Sequence, residues 1–235
     1  MATCGLPCDT SGTAGEVTSR KAWLLASAAL AVAVYALLWI GYASHWNWVT
    51  TIDSSFLSDA RAHPDRVIAW NVFCTVLGPT AFRLVTVGVI IFSLVRRNLR
   101  VAMFLVISVE LSGLITEIAK YAASRPRPTT ALVTAPSTSF PSGHALGVMV
   151  SVLALLTVAL PVVRRPLRAW LVALGAVIVV AIGIGRVVLN VHYPSDVLAG
   201  WALGYAYFVA CLLIIPLTRP VTVTDETPAA LDTAR

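Results

Sequence analysis

The sequence predicts an all-α membrane protein in which six transmembrane helices form one bundle and both termini are cytoplasmic. Hydrophobic residues make up 58% of the 235-residue chain and charged residues only 12%, whereas about a quarter of the residues in a soluble domain are charged. The apolar residues form six long runs, and almost all charged residues lie in the loops or tails around them. This pattern is typical of an integral membrane protein with short loops.

Each run has about the length needed to cross a hydrocarbon core of about 30 Å at a helical rise of about 1.5 Å per residue. The predicted spans are, in chain order, 22–43, 67–95, 101–119, 141–161, 169–184 and 197–217. The second run is interrupted by Gly78-Pro79, and proline disrupts a helix interior. We therefore favour a short outer helix, a break, and a span that starts near Thr80 over one continuous helix.

Basic residues predict the orientation of the bundle. They precede the first span, join the second to the third and the fourth to the fifth, and follow the sixth: Arg20, Lys21, Arg96, Arg97, Arg100, Arg164, Arg165, Arg168 and Arg219. In a six-span protein all these places lie on one side, which is the cytoplasmic side by the positive-inside tendency. We expect disordered cytoplasmic tails at 1–21 and 218–235, a membrane domain at 22–217, and outward loops at 44–66, 121–140 and 187–195.

Other features narrow the possible functions. The net charge of +6 does not indicate nucleic-acid binding, because the basic residues border apolar runs. Cys74 and Cys211 lie in apolar runs and should pack as small hydrophobic side chains, and Cys4 and Cys8 lie in a polar tail without a second ligand pair. We therefore predict no metal site.

The first outer loop contains aromatic and apolar residues at helical spacing: Trp46, Trp48, Ile52, Phe56, Leu57 and Ala60. This spacing fits an interfacial helix with an aromatic anchor, and an ordinary loop fits about as well.

Two motifs with histidines lie at the ends of apolar runs. His192 and Asp196 are four residues apart, so on a helical turn the carboxylate can reach one ring nitrogen and leave the other as a nucleophile or base. Ser142, Gly143 and His144 follow Pro141 at the start of the fourth span, where free N–H groups favour an anion and His144 could donate a proton to a leaving oxygen. Taken alone, each motif is also consistent with helix capping.

Three cations complete the candidate site. Lys120, Arg127 and Arg186 lie near the ends of apolar runs, where they could bind a phosphate or serve as ordinary headgroup-level anchors. The distance from the basic loops to the motifs is 18 to 20 residues, or roughly 27–30 Å of helix, so all the motifs should reach the outer membrane face.

In combination, these motifs resemble the type 2 phosphatidic acid phosphatase (PAP2) superfamily. The resemblance covers residues 100–217 and implies a helical core like that of PAP2 proteins and haloperoxidases, with no cofactor. It implies that His192 attacks phosphorus to form a phosphohistidine, that Asp196 orients it, and that His144 protonates the leaving group. Lys120, Arg127, Ser142, Gly143 and Arg186 would hold the phosphate.

The chain departs from the family pattern at two places. The family often has serine before the arginine of the third motif, where this chain has Gly185, and Arg125-Pro126 precedes Arg127-Pro128. Arg125 could therefore be a second phosphate or headgroup contact. Glu117, one turn before Lys120, could position a cation of the site or form a purely structural ion pair.

The leading hypothesis is a metal-independent membrane lipid phosphatase in the plasma membrane, with its active site facing the extracytoplasmic side. Candidate substrates embedded in the bilayer are a polyprenyl diphosphate, phosphatidate and phosphatidylglycerol phosphate. The alternative is a non-catalytic lipid-phosphate binder or transporter on the same scaffold. A vanadium-dependent haloperoxidase is disfavoured by the six apolar runs.

Overall fold

The computed structural model of the chain describes residues 11–56 and 64–217. Within these residues the protein consists of nine α-helices and one π-helical segment, without a β-strand. The helices are α1 (Ser11–Ala43), α2 (Asn47–Ser55), α3 (Pro64–Val76), α4 (Pro79–Val95), α5 (Leu99–Leu105), α6 (Ser112–Ala123), α7 (Gly143–Ala159), α8 (Arg165–Val188) and α9 (Pro194–Ile214). The predicted all-α class is confirmed.

Helix α1 starts earlier than the sequence suggested. It begins at Ser11 instead of residue 22, so the prediction of a disordered tail over 1–21 is wrong for residues 11–21. No proline interrupts this stretch, and once a helix has nucleated each added residue gains a backbone hydrogen bond. The rest of that tail, and the tail predicted at 218–235, lie outside the described residues.

The loop between the first two apolar runs contains the predicted short helix. Helix α2 carries Trp48 and Ile52 on its exposed surface, and Trp46 precedes it. Leu57 and Ala60 lie outside the described residues. The helix is not merely interfacial, because its Asp53 side chain is buried.

The second apolar run is broken as predicted. Helix α3 ends at Val76, and α4 begins at Pro79 with Gly78 in extended conformation at its N-cap. The third run is continuous, but residues Val106–Glu110 wind as a π-helix between α5 and α6. Such segments occur often at functional sites.

Among the described residues, five stretches are long and apolar enough to cross a membrane. They are Thr18–Ala43, Arg66–Val95, Leu99–Ala123, Arg165–Val188 and Pro194–Ile214. Helix α7 is apolar but shorter, with 17 residues, so a total of six spans stays a prediction.

Helix α7 lies at the centre of the bundle, against α4, α6, α8 and α9. Its contact with α9 is close because Gly200 and Gly204 face it. A Cβ atom at Gly200 would lie 2.6 Å from the Ser142 carbonyl oxygen, and one at Gly204 would lie 2.9 Å from that of Leu146. Small residues spaced four apart allow this backbone approach in membrane helices, and it places the start of α7 beside the start of α9.

Candidate active site

The predicted site residues converge at one end of the bundle. Lys120 lies in the last turn of α6 and Arg186 in the last turn of α8, whereas His144 and Asp196 lie in the first turns of α7 and α9. The loops that follow α6 and α8 carry Arg127 and His192. The Ser142 N–H donates to the Asp196 carbonyl oxygen at 2.9 Å and joins two of the motifs.

The hydrogen bonds of His192 indicate which ring nitrogen is free to react. Its side chain is buried, and Arg127 Nη1 lies 3.2 Å from Nε2. Because a guanidinium can only donate, Nε2 must carry the lone pair and Nδ1 the proton. Nδ1 lies 3.5 Å from Asp196 Oδ2, which is within ion-pair range but does not form a hydrogen bond. This is the tautomer that a nucleophilic Nε2 requires.

The charge state of His192 is consistent with that tautomer. Burial lowers the pKa of His192 from 6.5 to about 4; Asp196 opposes this shift, and the charges of Arg186 and Arg127 add to it. The imidazole is therefore neutral at physiological pH, with its lone pair available.

Asp196 is held in place by both of its oxygens. Oδ1 accepts from Arg125 Nη1 at 2.7 Å, and Oδ2 accepts from the Tyr193 N–H at 2.9 Å in a capping box at the start of α9. The carboxylate is fully buried. Since the helix start and Arg125 fix the carboxylate, its position relative to the His192 ring is set by the fold.

The three cations surround the space next to the histidines. Arg127 donates to the carbonyl oxygens of Pro136 at 3.0 Å, Ser137 at 3.0 Å and Val191 at 2.6 Å, so its position is preorganised. Lys120 Nζ donates to Ser137 Oγ at 2.7 Å.

Arg186 has a buried Nε without a hydrogen-bond partner among the described residues. An unpartnered buried donor is costly, and a bound anion would satisfy it. The structure thus brings Lys120, Arg127 and Arg186 together as the sequence predicted.

The start of α7 closes the other side of this space. Ser142 caps the helix by accepting from the Ala145 N–H at 3.5 Å. A Cβ atom at Gly143 would lie 3.9 Å from Lys120 Nζ, so the backbone here is next to the cations. The ring of His144 experiences the charges of Arg186, Lys120 and Arg127. The geometry suits a phosphate between His192 and His144, with the cations and the α7 N-terminus around it.

The acidic residues near the cations have different surroundings. Glu117 Oε1 lies 3.7 Å from Lys120 Nζ, and the Glu117 side chain is 66% exposed, so this pair contributes little to stability. Glu110 is coupled electrostatically to Arg83. Arg83, Glu110, Glu117 and Lys120 all line a groove of about 480 Å³ that continues from the phosphate space between α4 and α6.

The predicted second phosphate contact through Arg125 is contradicted by the hydrogen bonds of this residue. Its guanidinium is buried and donates to Asp196, Ser195 and Asp53. One of these partners is the carboxylate next to His192, so Arg125 helps to hold Asp196 in place and does not point its guanidinium at a phosphate. The reason is that two buried carboxylates attract the guanidinium more strongly than the open phosphate space.

Sequence reasoning missed Asp53, Ser137 and Ser195, which contact the predicted site residues or Arg125. Asp53 accepts from the Ser195 N–H at 3.0 Å and from its hydroxyl at 2.8 Å. Ser137, whose backbone has φ of 66°, orients both Lys120 and Arg127. Of these residues, only Asp53 could have been noticed in the sequence, because it is a lone carboxylate on an otherwise uncharged helix.

No group of three or more His, Cys, Asp or Glu side chains suited to a metal ion occurs within residues 11–56 and 64–217. The candidate site is therefore built from histidines, one carboxylate, three cations and backbone N–H groups. Fold and site together define an all-helical membrane protein with a candidate phosphate-binding site at one end of its bundle.

A family model described as the PAP2 superfamily matches residues 101–220. The chain belongs to this superfamily, and the resemblance inferred from the motifs is confirmed. The matched region contains every residue of the candidate site except Asp53.

Two proteins similar to this chain are named as phosphatases. An undecaprenyl-diphosphatase from Sulfolobus acidocaldarius is 34% identical over 116 residues, which are 46% of this chain. The aligned part covers 52% of that relative, so the chain spans about half the length of the curated protein that it matches. The crystal structure of a transmembrane PAP2 type phosphatidylglycerolphosphate phosphatase from Bacillus subtilis superposes with a TM-score of 0.67 at 25% identity, over 78% of this chain and 94% of that one.

Proposed function

We propose that this protein is an integral-membrane lipid phosphatase that hydrolyses a lipid phosphomonoester or diphosphate through a phosphohistidine on His192, at the extracytoplasmic face. The observation that carries the proposal is the unprotonated Nε2 of a buried, neutral His192 beside Asp196 and among three cations. Both named relatives are phosphatases of phosphorylated lipids by their names, which supports the reaction class.

The proposed reaction has two steps. Nε2 of His192 attacks the phosphorus and the bond to the leaving oxygen breaks. That oxygen takes a proton from His144, which the bound phosphate anion keeps in its protonated form. Water, deprotonated by His144, then attacks the phosphohistidine and releases inorganic phosphate together with free His192. Lys120, Arg127, Arg186, the Ser142 hydroxyl and the Gly143 N–H stabilise the charge on the transferred phosphoryl group throughout.

The lipid is a polyprenyl diphosphate, phosphatidate or phosphatidylglycerol phosphate. In each case the phosphate would reach the cations while the apolar tail stays in the bilayer. The groove between α4 and α6 supports this arrangement, because it joins the phosphate space at Lys120 and Gly143 and is bordered by the exposed Leu114. We propose that the part of the headgroup that is not transferred lies there.

The test is phosphate release by the purified, full-length protein from a panel of these lipids in detergent, with a chelator present. We expect His192→Asn to lower the turnover by at least about 1000-fold, because the nucleophile is lost. The exposed His45 provides a matched control, since asparagine tolerates its positive φ and His45→Asn should retain full activity.

Three outcomes contradict the proposal. Full activity of His192→Asn rules out His192 as nucleophile. Strict dependence on added metal rules out the mechanism. A folded wild-type protein that binds these lipids and releases no phosphate from any of them is a binder or transporter.

A further inference from the structure

The buried guanidinium of Arg125 is shared between two carboxylates. Nη1 donates to Asp196 Oδ1 at 2.7 Å, and Nη2 donates to Asp53 Oδ2 at 2.6 Å. The guanidinium carbon lies 4.4 Å from the ring centre of Tyr42 and 4.0 Å from that of Tyr193. The two rings lie against the guanidinium, and each carboxylate meets a different nitrogen.

Asp53 reaches this position from a part of the chain that the family match does not include. It lies on α2 in the first outer loop, and only 3% of its surface is exposed. Its oxygens also accept from the N–H and the hydroxyl of Ser195, which precedes Asp196 in the first turn of α9. Asp53 therefore contacts the backbone that carries Asp196 as well as the cation that neutralises it.

The formal charges of Asp53, Arg125 and Asp196 affect how readily His192 binds a proton. Asp53, Arg125 and Asp196 together carry one net negative charge, and that charge faces His192. Without Asp53 the net charge would be zero, and Arg125 would be free to pair with Asp196 alone. Because a nearby negative charge favours the imidazolium and a nearby positive charge disfavours it, the basicity of His192 would fall.

We infer that Asp53 is a positioning residue of the active site: it shares Arg125 with Asp196, and so leaves more of the negative charge of the Asp196 carboxylate to act on His192. The inference rests on the proposed function for its catalytic consequence. Its physical content, the effect of Asp53 on the proton affinity of His192, does not depend on turnover.

Several other charged groups act on His192, and they are the same in every variant used below. They are Arg127 from the loop after α6, Arg186 from α8 and His144 from α7. Tyr42, Tyr193 and Ser195 are the other polar side chains in contact with Arg125 or Asp53. None of them is altered.

Three variants test the charge argument: Asp53→Asn, Arg125→Gln and the double variant. The net charge of positions 53, 125 and 196 taken together is zero in Asp53→Asn and minus two in Arg125→Gln. It is minus one in the double variant, as in the wild type. The pH dependence of kcat/KM is measured for each on one lipid. The titration of the substrate is common to all of them, so differences between the variants report the enzyme.

We expect Asp53→Asn to lower kcat by about 10- to 100-fold with little change in KM, and to move the acid limb down by about one pH unit. Arg125→Gln should move that limb up. The double variant should return it close to the wild-type position and recover most of the kcat lost in Asp53→Asn. A merely structural role would make the double variant at least as impaired as either single variant.

Ser54→Ala is the matched control on α2, because the Ser54 hydroxyl is exposed and its one hydrogen bond among the described residues is to the Thr51 carbonyl. It should leave the activity and the pH profile unchanged. Melting and gel filtration in detergent check that each variant is folded. If Asp53→Asn does not fold, Arg125→Gln alone decides: an acid limb that stays or moves down overturns the inference.

Titration of His192 by NMR, with labelled histidine in a chain that contains 4 histidines, gives the same comparison without turnover. Opposite shifts of the His192 pKa in the two single variants support the inference even in a protein that releases no phosphate. Equal pKa values in all four proteins overturn it. Failure of the proposed function and failure of this inference are therefore distinguishable.

Discussion

The reactivity of His192 results from two neighbours with opposite effects. Arg127 donates to Nε2 and fixes the lone pair there, while Asp196 faces Nδ1. In the proposed mechanism, Arg127 gives up this contact when Nε2 bonds to phosphorus, and its guanidinium then binds an oxygen of the transferred group. The proposed nucleophile is thus already in the required tautomer before the reaction, and the donor is close to the charge that would develop in the transition state.

The depressed pKa of His192 predicts how stability depends on pH. The folded protein binds a proton at His192 only near pH 4, whereas the unfolded chain binds one near pH 6.5. Between these values the unfolded state holds more protons, so folding stability falls as the pH falls through this window. Asparagine at this position does not titrate.

Melting curves of wild type and His192→Asn in detergent, from pH 7 to pH 4.5, measure this effect. We expect the melting temperature of the variant to rise relative to that of the wild type by several degrees as the pH is lowered. A difference that is constant with pH, or that changes in the opposite direction, contradicts the pKa shift. Titration of other groups is common to both proteins and cancels in the comparison.

At the scale of helices, the sequence predicted where the helices lie better than it predicted which side chains they direct into the interior. The break at Gly78-Pro79 follows from local chemistry, since proline lacks an N–H and glycine adopts the extended N-cap. Helix α2 follows from the spacing of its apolar residues. The inward direction of Asp53 does not, because it depends on a partner, Arg125, that lies far away in the chain. The same limit led to the wrong assignment of Arg125, whose Arg-Pro pattern duplicates that of Arg127.

Gly185 illustrates a contact between helices that local sequence cannot reveal. A Cβ atom there would lie 2.6 Å from Cys74 Sγ and 2.8 Å from Cε3 of Trp70, so glycine lets α3 pack directly on α8. The serine that many members of the family have at this position would not fit here. The departure from the family pattern is explained by the packing of α3, and it fixes the helix turn from which Arg186 projects.

We therefore expect Gly185→Ser to displace α3, lower the melting temperature by several degrees and reduce kcat/KM by about tenfold or more. Replacing Cys74 by alanine in the same protein removes the closest clash and should restore part of both losses. Gly88→Ser is the matched control, because a Cβ atom at Gly88 meets nothing within 4 Å. Phosphate release and melting in detergent measure both effects. Equal behaviour of the two serine variants would contradict the packing argument.

At the scale of the whole molecule, the order of the helices brings the site together. The C-terminal ends of α6 and α8 and the N-terminal ends of α7 and α9 meet at one end of the bundle. This meeting could be predicted, because the motifs are separated by lengths close to one bilayer thickness. The short length of α7 could not be predicted from the sequence. A helix enclosed by four others touches little lipid, so its apolar length is not tied to the thickness of the hydrocarbon core.

The side of the membrane on which this end lies is predicted from the basic loops alone. Arg164, Arg165 and Arg168 mark the loop between α7 and α8 as cytoplasmic, and the phosphate site would then be extracytoplasmic. Two exposed positions report the two ends: Tyr121 beside Lys120 is 87% exposed, and Val162 in the loop between α7 and α8 is 83% exposed. Single cysteines introduced there can be labelled with a membrane-impermeant maleimide in intact cells.

The background for this experiment carries Cys4→Ser and Cys8→Ser and keeps Cys74 and Cys211, which are 1% and 2% exposed. It should take up no label until the protein is denatured. We expect Tyr121→Cys to be labelled in intact cells and Val162→Cys only after the membrane is permeabilised. The reverse pattern would place the site in the cytoplasm, where it would meet inner-leaflet lipids. Phosphohistidine chemistry at His192 would survive that result, since the local geometry of the site does not depend on the side of the membrane.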